Sequence, residues 1–398
     1  MLKKESVLPL KSLLFCFHAA NSIIITFLPI YLQDKDLDGT EIGYVLAIGP
    51  MTSLLAQPFW GYMSDKYRTV KRMILICLAG LLISSLIFFQ MNMLASILLM
   101  GAVFYFFISP VGALSDSLAQ RKSQQLSVDF GSIRTWGSIG FAVSSLLIGE
   151  MLARIGVQHM VWPYFLFGAA SLLACITLTD VKVENTASAV QLADIKRLLQ
   201  SAPFIIFLLL IMFLTVTHRA NDSFLGIYIV QLGGSEGLVG LAWFAGVASE
   251  ALVFALAATW FRKLHPLIFI IAAGLLYSSR WFIYAMVDEP VWVIAFQFMH
   301  GLSFGVFYLA AFQYVSRLIP ASLQSTGHLL FVSVFFGLSG IIGSLFGGFI
   351  IDTMGGEMLY LVMAWIALFG SICITVYHIL PYGKVIKVPD RQRSNEKS

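Results

Sequence analysis

The chain has 398 residues and a formal net charge of +4, with 59% hydrophobic and only 12% charged residues. Soluble domains average about 25% charged residues, so this composition excludes an ordinary soluble globular domain. It predicts a polytopic membrane protein whose partner is the lipid bilayer and not a nucleic acid.

Twelve apolar runs of about 20 residues follow one another along the chain, and a helix needs this length to cross a bilayer. They lie at 12–32, 41–62, 73–90, 94–118, 131–152, 160–179, 203–230, 238–259, 266–286, 291–315, 327–351 and 358–380. None alternates with a period of two, as the strands of a β-barrel do. We therefore predict an all-α membrane protein with twelve transmembrane helices.

The basic residues are distributed unequally between the two sides of the predicted bundle. Of the 25 lysine and arginine residues, Lys35 and Arg154 lie in loops on one side, and Arg134, Arg219 and Arg280 lie within helices. All the others fall on the second side, which the positive-inside rule assigns to the cytoplasm. We predict a cell-membrane protein with both termini in the cytoplasm.

A weak internal repeat divides the chain. Residues 78–85 (LAGLLISS) recur as 272–279 (AAGLLYSS), in corresponding predicted helices. Two pseudo-symmetric six-helix halves are the plan of many secondary transporters, whose site lies between the halves near the bilayer midplane. The predicted organisation is an N-terminal half at 1–180, a cytoplasmic linker at 181–202, a C-terminal half at 203–380 and a cytoplasmic tail at 381–398.

Two pairs of opposite charges lie inside predicted spans: Asp116 with Arg134, and Glu250 with Arg280. A charge at bilayer depth costs a few kcal/mol or more and usually marks a site or a pathway. The members of each pair lie nearly equally far from the loop that joins their helices, so we expect them at similar depth and in contact. A guanidinium beside a carboxylate can bind hydroxyl groups or a ligand carboxylate. The alternative is a structural ion pair within each helix hairpin.

The seventh predicted helix carries His218, Arg219 and Asp222 within one turn. This spacing allows the Asp222 carboxylate to face either neighbour. The trio is interpreted either as a proton site or as a local polar patch that keeps the helix facing the bundle.

The loop after the second predicted helix contains Gly61, Asp65, Lys66, Arg68 and Arg72. This arrangement resembles the signature of the major facilitator superfamily, in which a glycine is followed by Asp-Arg/Lys and a basic cluster. The resemblance implies a gate in which Asp65 pairs with basic groups and holds one conformation closed. The alternative is a solvated basic loop.

A second resemblance covers the fourth and fifth predicted helices. The segments 109–117 (SPVGALSDS) and 129–141 (DFGSIRTWGSIGF) look like the lactose permease-like branch, which includes oligosaccharide, nucleoside and phenylpropionate proton symporters. The resemblance implies that Asp116 and Arg134 bind the substrate. Trp136, close by in sequence, is a further candidate, because its ring could stack on a sugar or an aromatic ring.

The resemblance also bears on proton coupling. His300 occupies the position of the branch's helix-10 histidine, but Ser303 stands where the branch has a coupling carboxylate. The coupling proton is therefore assigned to Glu250 or to Asp222. Arg280 and His300 are expected to contribute to coupling or binding.

Some expected motifs of other classes are absent from the sequence. It has no phosphate-cradling Gly-Lys-Ser/Thr loop and no metal-ligand cluster. We therefore expect that ATP is not the energy source, that the protein binds no cofactor and that it is not an enzyme. We predict a monomeric secondary active transporter that takes up a small organic solute with protons by alternating access. The solute is an oligosaccharide, a nucleoside or an aromatic acid. The alternatives are an exporter of the same fold and a non-transporting membrane sensor.

Overall fold

The computed structural model describes residues 7–180, 192–261, 264–320 and 323–380, and its regular elements are helices. This confirms the predicted all-α class. The first residues of the predicted linker, 181–191, and the predicted tail, 381–398, lie outside the described residues. The described part of the linker contains a short helix, Leu192–Leu199, which the sequence analysis treats as loop.

Within the described ranges, twelve helices are long and apolar enough to cross a membrane, as predicted. They are α1 (Leu8–Asp34), α2 (Gly39–Lys66), α3 (Val70–Phe88), α4 (Leu94–Leu126), α5 (Phe130–Ile155), α6 (Val161–Thr177), α7 (Ala202–Gln231), α8 (Glu236–Trp260), α9 (Pro266–Tyr284), α10 (Phe298–Leu318), α11 (Thr326–Met354) and α12 (Gly356–Ile379). Several extend beyond the apolar runs, because their polar ends continue the helical hydrogen bonding outside the hydrocarbon layer.

Local sequence explains where the helices near the site begin. Asp38 and Glu41 form a reciprocal capping box at the start of α2. Asp129 caps α5 by accepting a hydrogen bond of 2.8 Å from the backbone N–H of Ser132. Such caps satisfy amide donors that have no partner inside the helix. They fix the ends of two helices that line the contact between the halves.

The helices form two halves, α1–α6 and α7–α12, which meet where α2 packs along α11 and α5 along α8. An even number of crossings brings both ends of the chain to one end of the bundle, here called the terminal end. The contacts between the halves concentrate at the other end, here called the opposite end. There the Thr40 hydroxyl donates a hydrogen bond of 2.7 Å to Asp352.

Glycines allow the two halves to approach closely at the opposite end. A Cβ on Gly43 of α2 would lie 3.2 Å from the Cα of Gly348 in α11. A Cβ on Gly240 of α8 would collide with the carbonyl oxygen of Ser145 in α5. At the terminal end, by contrast, a Cβ on Gly61 of α2 would meet nothing within 4 Å. The bundle is therefore closed at the opposite end and open at the terminal end.

Two helices of the second half contain π-helical turns, Gly301–Gly305 in α10 and Ser333–Leu338 in α11. Turns of this kind are rare and occur frequently at functional sites. At the first turn, the backbone N–H of Gly301 donates a hydrogen bond of 2.9 Å to the Ser249 hydroxyl of α8. The close crossing of α8 and α10 at this point brings His300 next to the turn that carries Glu250.

Candidate functional site

The structure brings Asp116 of α4 and Arg134 of α5 into contact, as the sequence analysis predicts. The Arg134 Nε lies 3.0 Å from Asp116 Oδ1, and the two side chains are 34% and 37% exposed. This exposure in the middle of a bundle that is open at one end leaves the remaining guanidinium N–H groups accessible from the open end. The pair can therefore offer donors and acceptors to a ligand.

Glycine 137 makes room for this arrangement on α5. A Cβ on Gly137 would lie 2.5 Å from the His18 Cδ2 atom of α1 and 2.7 Å from Arg134 Nη1. The His18 Nε2 atom is buried beside the guanidinium and has no hydrogen-bond partner among the described residues. The imidazole is thus a polar group of α1 close to the Asp116–Arg134 pair.

Trp136 lies on a different side of α5. Its ring packs edge-on against Phe15 of α1, with the ring centroids 6.4 Å apart, and the Lys11 ammonium lies 5.9 Å from the ring centroid. Two residues along a helix correspond to a rotation of about 200°, which separates Trp136 from the direction of Arg134. The structure therefore places this tryptophan at the contact of α1 with α5.

The predicted direct pair of Glu250 with Arg280 is wrong. The buried Arg280 donates hydrogen bonds to the Gln297 side-chain oxygen and, over 3.1 Å, to the Tyr284 hydroxyl. Its guanidinium also lies 4.7 Å from the Trp281 ring centroid. Equal distances from the connecting loop predict depth, but the rotation of α9 turns Arg280 toward Gln297.

His300 stands between the two charges that were expected to pair. Its Nδ1 lies 3.4 Å from Arg280 Nη1, and its Nε2 lies 3.8 Å from Glu250 Oε2. An arginine can only donate, so Nδ1 accepts, and the proton of the neutral imidazole is on Nε2. That N–H points toward the Glu250 carboxylate. The order Arg280, His300, Glu250 thus replaces the predicted ion pair.

The polar trio of α7 adjoins this cluster. Asp222 Oδ2 lies 2.7 Å from Arg219 Nη1 and 3.5 Å from His218 Nε2, so the carboxylate faces both neighbours. The His218 ring stacks on Phe304, with centroids 4.5 Å apart, and lies 5.5 Å from the His300 ring. Two carboxylates and two histidines therefore lie in one region of the second half.

Several polar atoms in this region are buried and have no hydrogen-bond partner within the described chain. They are His218 Nδ1, Arg219 Nε, Asp222 Oδ1 and the Tyr277 hydroxyl. An unsatisfied buried polar group costs about 1–3 kcal/mol, and more when it is charged. A concentration of such groups is typical of a binding or proton-transfer site and not of a packing core.

The predicted gate residues lie at the open, terminal end. Asp65 and Lys66 are exposed in the last turn of α2, and the Lys66 ammonium lies 5.8 Å from the Tyr62 and Tyr67 ring centroids. No ion pair between described residues joins Asp65 to a basic group. The expected Asp65 pair is thus not formed in a conformation that is open at this end.

The rest of the gate segment connects α2 and α3 to the end of α6. Arg68 adopts a left-handed turn conformation (φ 52°), and the Arg72 backbone N–H donates to the Thr69 hydroxyl over 3.2 Å. The Lys71 ammonium donates to the carbonyl oxygen of Ile176 over 2.8 Å. The Lys71 cation at this carbonyl complements the negative, C-terminal end of the α6 helix dipole.

The twelve spanning helices form two halves that contact each other at one end of the bundle, and buried and half-exposed charges lie between the helices. This arrangement is that of a membrane transporter. The chain belongs to the MFS_1 like family, whose model matches residues 7–362. This confirms the predicted membership of the major facilitator superfamily and its fold of two pseudo-symmetric six-helix halves. The relatives are transporters, so the protein is a permease-type transporter and not an enzyme.

The relatives include transporters that are named for different solutes. The maltose permease of Geobacillus stearothermophilus is 30% identical over 382 residues, covering 94% of this chain and 92% of that protein. A probable 3-phenylpropionic acid transporter of Escherichia coli strain K12 is 26% identical over 366 residues, covering 89% and 93%. The crystal structure of the nucleoside transporter NupG matches with a TM-score of 0.86 at 16% identity, covering 94% of this chain and 99% of that chain.

Proposed function

We propose that the protein is a symporter that imports a small organic solute together with protons by alternating access. The observation that carries the proposal is the cluster of Asp222, His218, His300 and Glu250 in the second half. Carboxylates beside imidazoles in a buried region can take up and release protons within reach of a solute site. We place the protein in the cell membrane with both termini in the cytoplasm, because the basic loops lie at the terminal end.

The Asp116–Arg134 pair is proposed to bind the solute. Its side chains are accessible from the open end of the bundle, and the guanidinium retains free N–H donors. A pair that joins α4 to α5 within the first half positions the solute against the second half. Trp136 has no part in this proposal, since its contacts are with α1.

Glu250 is the proposed coupling carboxylate. Its carboxylate lies 3.8 Å from His300 Nε2, and no arginine or lysine of the described residues pairs with it, so its protonation releases no such partner. Protonation of Asp222, in contrast, would release Arg219 from a contact of 2.7 Å. Arg280 acts through His300, because its bond to Nδ1 keeps the Nε2–H directed at Glu250.

The gate and the domain organisation complete the proposal. Asp65 and the basic residues of the α2–α3 segment would close the terminal end when the opposite end opens. The halves comprise 1–180 and 203–380, joined by the linker 181–202 and followed by the tail 381–398. We propose that the protein acts as a monomer.

Uptake into proteoliposomes tests the proposed function. Purified protein is reconstituted, and an inward proton gradient is imposed in the presence of labelled maltose, uridine or 3-phenylpropionate. We expect one probe to accumulate above equilibrium, and collapse of the gradient with an ionophore to abolish the accumulation. Facilitated equilibration that ignores the gradient would contradict proton coupling.

Export remains a second candidate function. The multi-drug resistance efflux pump PmrA of Streptococcus pneumoniae is 22% identical over 396 residues of the alignment, covering 94% of this chain. In the same proteoliposomes, an exporter that exchanges solute for protons would move the probe outward while protons move inward. The sign of the coupling therefore separates the two functions.

A further inference from the structure

We infer that Trp60 of α2 is a positioning residue for the proposed solute site. Its indole N–H stabilises the proline turn of α4 that precedes Asp116, so Trp60 acts on the solute through Asp116 and does not touch it. The inference rests on the proposed function, because it takes Asp116 and Arg134 to be the residues that bind the solute. Trp60 belongs to the contact of α2 with α4, within the first half.

A proline inside α4 leaves one backbone carbonyl without its usual donor. The helix runs from Leu94 to Leu126 and contains Pro110 in its interior. Proline has no backbone N–H, so the carbonyl oxygen of Phe106, four residues earlier, loses the hydrogen bond that residue 110 would make in a regular helix. A proline ring also crowds this carbonyl and bends the helix. In the hydrocarbon layer no water can replace the donor, so a neighbouring helix has to supply it.

Trp60 supplies this donor from α2. Its Nε1 donates a hydrogen bond of 3.2 Å to the carbonyl oxygen of Phe106. The side chain of Trp60 is buried, and its ring centroid lies 5.7 Å from that of Phe106 and 6.0 Å from that of Phe107. Phe107 is held from its other side, because a Cβ on Gly80 of α3 would lie 2.5 Å from its ring. The indole is therefore fixed by packing with its N–H directed at the freed carbonyl.

The proline turn determines where Asp116 lies. Asp116 follows Pro110 by six residues, which is about 9 Å along a helix axis. A bend of about 20° at Pro110 therefore displaces Asp116 by about 3 Å relative to a straight helix. Arg134 Nε lies 3.0 Å from Asp116 Oδ1, and such a contact is lost when its atoms separate by about 1 Å more. Stabilisation of the bend thus preserves the pair that is proposed to bind the solute.

The second half has a comparable arrangement. The internal repeat relates α3 to α9, and therefore α2 to α8 and α4 to α10. At the π-helical turn of α10, the backbone N–H of Gly301 donates a hydrogen bond of 2.9 Å to the Ser249 hydroxyl of α8. In both halves a side chain of the second helix thus satisfies a backbone group at an irregular turn of the fourth helix. Each of these turns lies close to a site residue, Asp116 in α4 and His300 in α10.

Ring packing alone is the alternative role of Trp60. A phenylalanine ring fills part of the same space but cannot donate a hydrogen bond, so Trp60→Phe by itself does not separate the two roles. Pro110→Ala separates them, because it returns a backbone N–H at residue 110 to the Phe106 carbonyl and makes the indole donor dispensable. If Trp60 acts as a donor, its substitution has an effect only while Pro110 is present.

Solute exchange in proteoliposomes, measured without a pH gradient, tests this dependence. Labelled maltose, uridine and 3-phenylpropionate are offered in turn, and the half-saturating concentration is determined for the compound that exchanges. Trp60→Phe should raise this concentration about tenfold, because Asp116 moves away from Arg134. In the Pro110→Ala background the same change should raise it less than about twofold. Trp162→Phe, at a position of α6 that is 72% exposed, is the matched control and should have no effect.

A spectroscopic measurement tests the same contact without transport. The chain has eight tryptophans, so the full-length protein gives few indole ¹⁵N–¹H signals, and Trp60→Phe identifies the one that belongs to Trp60. Pro110→Ala should move this signal, because the indole then shares the Phe106 carbonyl with a backbone donor, and it should leave the Trp162 signal in place. An unmoved Trp60 signal would overturn the inference even where a variant does not transport.

The outcomes separate this inference from the proposed function. Equal effects of Trp60→Phe with and without Pro110, or no effect in the wild type, would overturn the inference even where proton-driven accumulation is intact. An effect that depends on Pro110, in a protein without proton drive, would support the inference and contradict only the proposed coupling. Exchange of none of the probes would count against the proposed function, and the indole signal would then decide the inference.

Discussion

Arg134 Nε lies 3.0 Å from Asp116 Oδ1, and this contact joins α5 to α4 while about a third of each side chain stays exposed. An ion pair with this exposure contributes only about 0–1 kcal/mol to stability. The cost of placing two charges at bilayer depth is several times larger. Stability therefore does not explain the pair, whereas a role in binding the solute does.

Removal of the guanidinium should abolish transport without unfolding the protein. Arg134→Ala leaves Asp116 accessible from the open end, where water can solvate it, so insertion and thermal stability should change little. Uptake should fall at least about a hundredfold, because a charged hydrogen-bonding group to the solute is lost. Arg154→Ala is the matched control. Uptake within threefold of the wild-type rate in Arg134→Ala would remove this residue from the site.

Neutralisation of Glu250 should separate solute movement from proton movement. Glu250→Gln keeps the size of the side chain and removes its titratable group beside His300, whose Nε2 lies 3.8 Å away. Exchange across proteoliposomes should persist, while accumulation driven by a proton gradient should be lost. The exposed Glu289→Gln serves as the control. Intact proton-driven accumulation would transfer the coupling role to Asp222, which is the next carboxylate to test.

A large side chain at Gly240 should prevent closure of the opposite end. Because a Cβ there already collides with the Ser145 carbonyl, Gly240→Trp should force α8 and α5 apart and abolish transport. A cysteine introduced at the buried Thr26 of α1 should then react about tenfold faster with an impermeant thiol reagent added from that side. Leu241→Trp, on the neighbouring exposed position, is the control. Equal labelling rates in the two variants would contradict the closed contact.

The beginning of α9 should make stability depend on pH. His265 Nδ1 accepts the Leu267 N–H over 3.3 Å, and burial, with His378 and Arg317 nearby, lowers the pKa of His265 below its usual 6.5. The unfolded chain therefore binds more protons as the pH falls below 6.5, so the melting temperature should fall between pH 7 and 5. His265→Asn keeps a capping acceptor and should flatten this dependence, whereas His159→Asn should not. Identical pH profiles in wild type and His265→Asn would contradict the assignment.

The sequence predicts the fold well, because bilayer thickness imposes a minimum length on every apolar run and basic loops mark the terminal end. It also predicts the Asp116–Arg134 contact, since both residues lie about equally far from a short loop. The same reasoning failed for Glu250 and Arg280. Spacing determines the depth of a residue, while the direction of its side chain depends on helix rotation.

The remaining features of the site arise from tertiary packing. Gln297 is a neutral amide just before α10, and no pattern in the sequence distinguishes it as the partner of Arg280. The π-helical turn at Gly301–Gly305 lies at the close crossing of α8 and α10, which periodicity does not reveal. Arg219 and Asp222 could be recognised as charged residues, but only the structure shows the Phe336 ring beside the Arg219 guanidinium.

Proton symport can be tested by recording external pH in a lightly buffered suspension of de-energised cells. Maltose, uridine and 3-phenylpropionate are added one at a time to cells that produce the protein, with Arg134→Ala cells as the control. We expect one solute to make the medium more alkaline and this change to be absent in the variant. Entry of a labelled solute through the protein with no change of external pH would contradict proton symport.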